Sequence, residues 1–253
     1  MTDGRTKVHT DQFEYGDPAD SISGSLIAWN TPEAFDWHAA DREAVEEILA
    51  AALSSRKVRI ADVGAGTGRL LSTLSEFASE LVAVEPDAER AAIAAVAAPD
   101  AEIFIGQVNE YRGLTIFDLV LLAHVVQHLT GEAAAQLLVD TRRRIDPSGH
   151  VLIVAPISLD NRMHWYRSYT DKVGRPIAEE VTEEGFLEEL PNTRSLPVCH
   201  YSLAELNRLV ESHDLQLERK IIIRTFRFLG VKTGRIEISE LAASDVALLF
   251  VTQ

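Results

Sequence analysis

The chain has 253 residues, 46% of them apolar, with one cysteine and a formal net charge of -15. That is enough apolar chain for a full core in one large or two small domains. The acidity argues against a broad nucleic-acid surface, which needs Lys and Arg to meet phosphates, and Cys199 alone cannot form an intrachain disulfide, as suits a reducing compartment. No apolar run approaches the ~18 residues of a membrane-spanning helix. The opening M-T-D-G-R-T-K-V-H-T lacks the apolar stretch of a secretory signal, so a cytoplasmic protein is expected.

Residues 1 to about 30 are polar and show no period, which predicts a loop with short helical pieces. Thr31-Pro32-Glu33 reads as a helix start, with Thr as N-cap and Pro at the first helical position. A helix is predicted from about Trp37 to Leu53, with Val45, Ile48, Leu49 and Ala52 on one face. The apolar strand 58–63 runs into Gly64, Gly66 and Gly68, and a helix follows over about 68–78. A second strand, 81–85, ends in Glu85, and Pro86-Asp87 opens a helix to about residue 97. A short strand follows at Glu102 to Ile105, and Phe117 to Leu122 is continuously apolar, as expected of a strand covered on both faces. Thr130 can cap a helix from about 131 to 145; Asp146-Pro147-Ser148-Gly149 reads as a turn before a strand at 150–155. Strands alternating with helices imply a parallel sheet.

From Ile157 to His200 the pattern breaks, and the stretch is too long for an ordinary connection. It follows the fifth strand at the carboxyl edge, where ligands of α/β sheets bind, so it reads as a cap. Ser202-Leu203-Ala204-Glu205 is a capping box that starts a helix to about His213, with strands near 218–228 and 245–252 after it.

The chemistry concentrates between Asp62 and Glu85. Glycines without a Cβ let a ligand approach the backbone, and the free N–H groups of the following helix face it. An acid at the end of the next strand, about 20 residues on, is placed to take both hydroxyls of a ribose. The glycines are spaced G-x-G-x-G rather than the dinucleotide pattern G-x-G-x-x-G, and Arg69 fills the position of its third glycine. With Asp62 ahead of them, this stretch resembles the first motif, (D/E)-x-G-x-G-x-G, of the class I S-adenosylmethionine-dependent methyltransferases. F-D-L-V-L-L-A-H-V-V-Q-H-L at Phe117 to Leu129 and D-P-S-G-H-V-L-I-V-A at Asp146 to Ala155 look like that family's fourth- and fifth-strand blocks.

The resemblance implies an α/β, Rossmann-like, seven-stranded and mostly parallel sheet with helices on both faces and an antiparallel last strand pair. Within one domain of residues 1–253 it implies an N-terminal helical lid (1–56), a cofactor-binding core (57–156), a substrate cap inserted after strand five (157–200) and a C-terminal helix and strand pair (201–253). Its cofactor is S-adenosyl-L-methionine, held by Asp62, Gly64, Gly66, Gly68, Glu85, Gln107 and His124. Asp62 either orients the turn and the cofactor's amino group or caps nearby N–H groups. Glu85 takes the ribose. Gln107 stands where the family often has an acid for the adenine amine, and its carbonyl oxygen can still accept. His124 borders the methionine part.

His128 falls where protein N-terminal methyltransferases carry a histidine that helps deprotonate the amine, and imidazole suits general-base work. The alternative for His128 is a structural bond to a loop carbonyl. His124 and His128 share a helical face, yet H-x-x-x-H lacks the Glu of H-E-x-x-H and a third ligand, so no metal is expected. Tyr15, Trp29, Trp37, His164, Trp165 and Tyr169 are the candidate substrate-binding residues; the competing reading makes the N-terminal aromatics mere staples of a surface helix.

The implied reaction is methyl transfer to an oxygen or nitrogen of a small molecule, as in natural-product tailoring. One alternative acceptor is a peptide or protein N-terminus; an alternative from another class is a non-catalytic S-adenosylmethionine-fold binding protein. A nicotinamide oxidoreductase is disfavoured by Arg69. Neither nucleic acid nor membrane is an expected partner, and a homodimer is compatible with everything read so far.

Overall fold

The computed structural model describes residues 37–54, 56–113, 116–160, 162–170, 176–189, 196–232 and 235–252. Helix α1 (Trp37–Leu53) leads into β1 (Val58–Val63), α2 (Leu71–Phe77), β2 (Ala78–Glu85), α3 (Ala88–Ala97) and β3 (Glu102–Ile105). Then come β4 (Phe117–Ala123), a 3₁₀ turn (Val126–His128), α4 (Gly131–Arg142) and β5 (Ile145–Ser158). The C-terminal third adds β6 (His164–Thr170), β7 (Pro176–Val181), α5 (Glu183–Glu189), β8 (Leu196–Ser202), α6 (Leu203–Glu211), β9 (Leu215–Lys232) and β10 (Arg235–Thr252).

The strands form one sheet in the order β10-β9-β7-β6-β8-β5-β4-β1-β2-β3, with β10 also paired to β5. Seven of them, β3-β2-β1-β4-β5-β10-β9, are the expected core sheet. β1 to β5 are mutually parallel where they pair, and β10 runs antiparallel to both β5 and β9. The chain steps from β1 to β2 and β3 on one side and to β4 and β5 on the other, so the crevice between β1 and β4 is the switch point at which such sheets bind ligands.

Both faces are covered, which is why the inner strands read as apolar runs. Leu119 and Leu121 of β4 face a core shared with α1 (Val45, Ile48, Leu49), α2 (Leu71, Leu74) and Ala94 of α3. Phe117, Val120 and Leu122 face the other way, toward α4 (Ala134, Leu138), Phe186 of α5, and α6 (Leu206, Val210). The caps follow the sequence. Asp87 accepts from the N–H groups of Glu89 and Arg90 at the head of α3, and Thr130 accepts from that of Ala133 at the head of α4.

Two stretches depart from the predicted pattern. The 146–149 turn lies inside β5: Phe117 pairs with Ile145 and Leu119 next with His150, so the strand bulges between them. Asp146 Oδ1 ties the bulge by accepting from the Ser148 N–H and hydroxyl. The 157–200 stretch is not irregular. It supplies three strands and α5, with β6 antiparallel to both β7 and β8. β4 stops pairing with β5 at Val154. Three residues on, β8 takes its place at Ile157 and Ser158, so the insertion extends the sheet past its carboxyl edge. Strands such as H-W-Y-R-S-Y-T mix polar and aromatic residues on both faces, so no apolar period marks them. Among the described residues no helix is long and apolar enough to cross a membrane.

The junction of β8 and α6 rests on Ser202, which is fully buried. Its hydroxyl accepts from the Glu205 N–H at 3.2 Å, and Glu205 Oε2 accepts from the Ser202 N–H at 3.3 Å, closing a capping box. Ser202→Ala is expected to cost about 1 kcal/mol. Urea titration should show the midpoint falling with an unchanged slope, as for a pure stability loss.

Candidate functional site

β1 delivers its last residue, Val63, into a turn in which Gly64, Gly66 and Gly68 have φ of +75°, +57° and +81°. The turn hangs from β2, because Val84 carbonyl oxygen accepts from the N–H groups of Gly64 and Ala65 at 2.8 and 3.2 Å. A Cβ on Gly68 would lie 3.0 Å from Ala94 Cα, so this glycine lets the α3 backbone pass close by. The dinucleotide pattern gives that packing role to the next position; here Gly68 performs it and leaves Arg69 for other work. A Cβ on Gly66 would meet only Arg90 Nη1, at 3.8 Å. Gly66 therefore presents bare backbone to open space at the switch point.

Glu85 sits at the end of β2, 4% exposed. Its Oε2 accepts from the Gly66 N–H at 2.7 Å and its Oε1 from the Asp87 N–H at 3.0 Å. Burial raises its pKa, while those two N–H groups and Arg90 pull the other way. A carboxylate has about four lone-pair sites, so both oxygens keep capacity for ligand hydroxyls. Asp62, near the end of β1, is 2% exposed. Burial pushes its pKa up to about 7; the positive charge of Arg69 opposes that rise and the nearby Glu85 adds to it. The β3 end reaches the same place: the Gly106 N–H donates to Glu85 carbonyl oxygen at 3.1 Å, which seats half-buried Gln107 beside Glu85.

The sequence pattern did not single out Asp41. It projects from α1, fully buried, and its Oδ2 takes Arg69 Nη2 and His124 Nε2, each at 2.8 Å. His124 follows β4 with φ +57°, an uncommon conformation for a residue with a side chain. It is anchored by its N–H to Val154 carbonyl oxygen at 2.7 Å, and its Nδ1 meets Gln127 Nε2 at 3.2 Å. Burial alone would raise the Asp41 pKa; His124 and Arg69 outweigh it and hold the carboxylate below its ordinary value. The signal was present. Asp41 lies four and seven residues before Val45 and Ile48, on the apolar stripe of α1, where an unpaired acid is not tolerated.

His128 closes the 3₁₀ turn after β4 and is 8% exposed. Near it lie two histidines that β6 and β8 bring together, since His164 pairs with His200 across the strands. The pKa of His200 is pushed down to about 3, chiefly by burial and further by the charges of His164 and His128, so its ring is neutral. His164 is 6% exposed and its two nitrogens meet Asp160 Oδ1 at 2.8 Å and Glu180 Oε1 at 2.9 Å. Burial favours the neutral ring there, but the two carboxylates prevail and its pKa is raised. Tyr166, whose ring centroid is 4.9 Å from that of His200, completes this buried group.

Of the expected substrate residues, His164 is thus buried among carboxylates, and Trp165 is partly buried against the core. Tyr169 lies in β6 and Trp37 opens α1, with their side chains outside the described residues. Tyr15 and Trp29 fall outside the described residues. Among the described residues no three His, Cys, Asp or Glu are grouped to hold a metal.

Residues 61–153 match the sequence family described as Methyltransferase domain. Uncharacterized methyltransferases of Mycobacterium tuberculosis and Mycobacterium bovis are 30% identical over 155 residues, 60% of this chain and 56% of theirs. The chain therefore spans about half the length of these relatives. The Burkholderia thailandensis 1,6-didemethyltoxoflavin-N1-methyltransferase, solved with 1,6-didemethyltoxoflavin and S-adenosylhomocysteine, has a similar fold: TM-score 0.56, 18% identity, 93% of this chain and 87% of that one. So has the magnesium protoporphyrin IX methyltransferase of Synechocystis, solved with S-adenosylmethionine: TM-score 0.54, 10% identity, 92% and 91%.

The two glycine roles separate by substitution. Gly66→Ala is expected to cost about 1–2 kcal/mol, the penalty of a side chain in left-handed backbone. Gly68→Ala carries the same penalty plus overpacking against Ala94, typically a further ~1–3 kcal/mol. Chemical denaturation of both variants tests this, and equal losses would contradict the packing role of Gly68.

Proposed function

We propose, from the premise that this chain belongs to the class I S-adenosylmethionine-dependent methyltransferases, that it binds S-adenosylmethionine at the 64–68 turn and methylates an oxygen or nitrogen of a small molecule, a tailoring step of secondary metabolism in the cytoplasm. The observation that carries this is the open face of Gly66, clamped by buried Glu85 at the β1–β4 switch point. The residues present fit the cofactor. Glu85 offers lone pairs for the ribose hydroxyls, Gln107 beside it an amide for the adenine edge, and Asp62 and His124 flank the path toward the methionine end. When bound, the cofactor supplies a methyl group already activated on a sulfonium. The protein is left to hold the acceptor in line and to exclude water.

His128 takes the acceptor's proton in this reading. It stands at the carboxyl end of β4, and the neutral His200 beside it does not oppose a positive charge on the His128 ring. The β6–β8 extension bounds the acceptor side in this reading, with Trp165 as its candidate aromatic contact. A second reading keeps the chemistry and changes the acceptor to a cationic peptide or a protein N-terminus, which a chain of net charge -15 would attract.

Calorimetry with S-adenosylhomocysteine, S-adenosylmethionine and NAD tests the cofactor. Glu85→Ala is expected to weaken the first two by ~1.5–3 kcal/mol, the range for a hydrogen bond to a charged group. Tight NAD binding without either of them would overturn the reading.

His128→Asn tests the base. The expected outcome is a kcat loss of roughly 10²–10⁴-fold with cofactor affinity and melting temperature nearly unchanged. Activity falling only in step with folded protein would make His128 structural instead, and a stable, fully active variant would remove it from the mechanism.

A further inference from the structure

Asp41 bridges the crevice at the switch point. Its Oδ2 is held by Arg69, which follows the glycine turn after β1, and by His124, which follows β4. Its other oxygen, Oδ1, is buried and has no hydrogen-bond partner among the described residues. On the far side of the His124 ring, Gln127 Oε1 is in the same condition, while Gln127 Nε2 is spent on His124 Nδ1. Buried polar atoms are nearly always paired, so each exception calls for an explanation. Both orphans are acceptors, one charged and one neutral. The ionised state of Asp41 is secured by its two partners, so Oδ1 is an anionic acceptor in a site shielded from water.

We propose that Asp41 and Gln127 form a subsite for a primary ammonium group, the side-chain or ligand cation that supplies three donors at once. The inference rests on the cofactor reading above. Within that reading two ligands can bring such a group to this crevice: the amino-acid end of the cofactor, or an amine acceptor. Asp41 is carried by α1, so the same contact ties that helix to the filled crevice.

The test uses the full chain, wild type, Asp41→Asn and Gln127→Met, titrated calorimetrically with S-adenosylhomocysteine and with 5′-methylthioadenosine, which lacks the amino-acid end. A phenethylamine titration into each S-adenosylhomocysteine complex follows, with melting temperatures alongside. If the cofactor supplies the ammonium, Asp41→Asn weakens S-adenosylhomocysteine about ten- to hundredfold and Gln127→Met about fivefold, while 5′-methylthioadenosine is unaffected. If the acceptor supplies it, S-adenosylhomocysteine binding stays level and phenethylamine binds the wild-type complex but not the Asp41→Asn complex. Parallel loss of both nucleosides with a falling melting temperature in both variants would make the cluster a structural strut and overturn the proposal. So would unchanged S-adenosylhomocysteine binding together with no discrimination of phenethylamine. Wild type binding neither nucleoside would sink the cofactor reading itself, an outcome distinct from both.

Discussion

The hydrogen bond from the Gly66 N–H to Glu85 Oε2, 2.7 Å long, is the contact on which the site depends. It joins the turn after β1 to the end of β2, and with the Val84 carbonyl it fixes the course of five residues that include three left-handed glycines. Everything placed downstream inherits that course. Gly68 reaches α3 where a Cβ would crowd Ala94, Arg69 swings out toward Asp41, and α2 starts only at Leu71. A buried carboxylate is costly to ionise unless hydrogen bonds repay its lost hydration. Two backbone N–H groups offset part of that cost for Glu85, and they also leave Gly66 bare on the side away from the acid. The same contact thus holds the turn and exposes it.

Charge is layered around that turn. Asp62 and Glu85 are both buried, and the charge of Glu85 adds to the burial that pushes the Asp62 pKa up to about 7. For Asp62 the folded-state pKa lies above the ordinary carboxylate value. Its protonated form therefore suits the fold, and that contribution is lost as pH rises through about 7. A cation arriving beside these carboxylates would reverse the balance and favour their ionised forms. The pair Arg69 and His124 performs that service for Asp41 within the protein itself, which is why Asp41, equally buried, is held down while Asp62 is not.

Much of this was legible in the sequence because it is written in local terms. Glycine spacing, the acid closing β2, the apolar runs of β1 and β4 and the caps at Asp87, Thr130 and Ser202 each state their geometry within a few residues. The parallel sheet followed from the alternation of strands with helices. What escaped depends on partners far apart in the chain. Asp41 is interpretable only once Arg69 and His124 are known to meet it, 28 and 83 residues away. β6, β7 and β8 form because β5 outruns β4 and offers a fresh edge, not because their own residues show a strand period. β9 and β10 run well beyond the predicted segments, since they pair with each other along most of their length. Bulges at Asp245/Val246 and Leu249/Phe250 absorb their irregular patterning.

The added strands change what the carboxyl edge can do. Beside them stands His128, which closes the 3₁₀ turn after β4. With them it lies in a buried group whose charges are distributed by position: His164 is clamped by Asp160 and Glu180, and His200 between it and His128 stays neutral. The folded-state pKa of His164 is raised, so the clamp's stability is complete below the ordinary imidazole value and fades as pH climbs through the raised one. One cation held by two acids therefore fastens β6 to β7 at the entrance to the extension. The neutral imidazole behind it separates that cation from the residue proposed to accept a proton. A second positive charge next to His128 would disfavour its protonation. A neutral His200 is thus compatible with the base role proposed for His128.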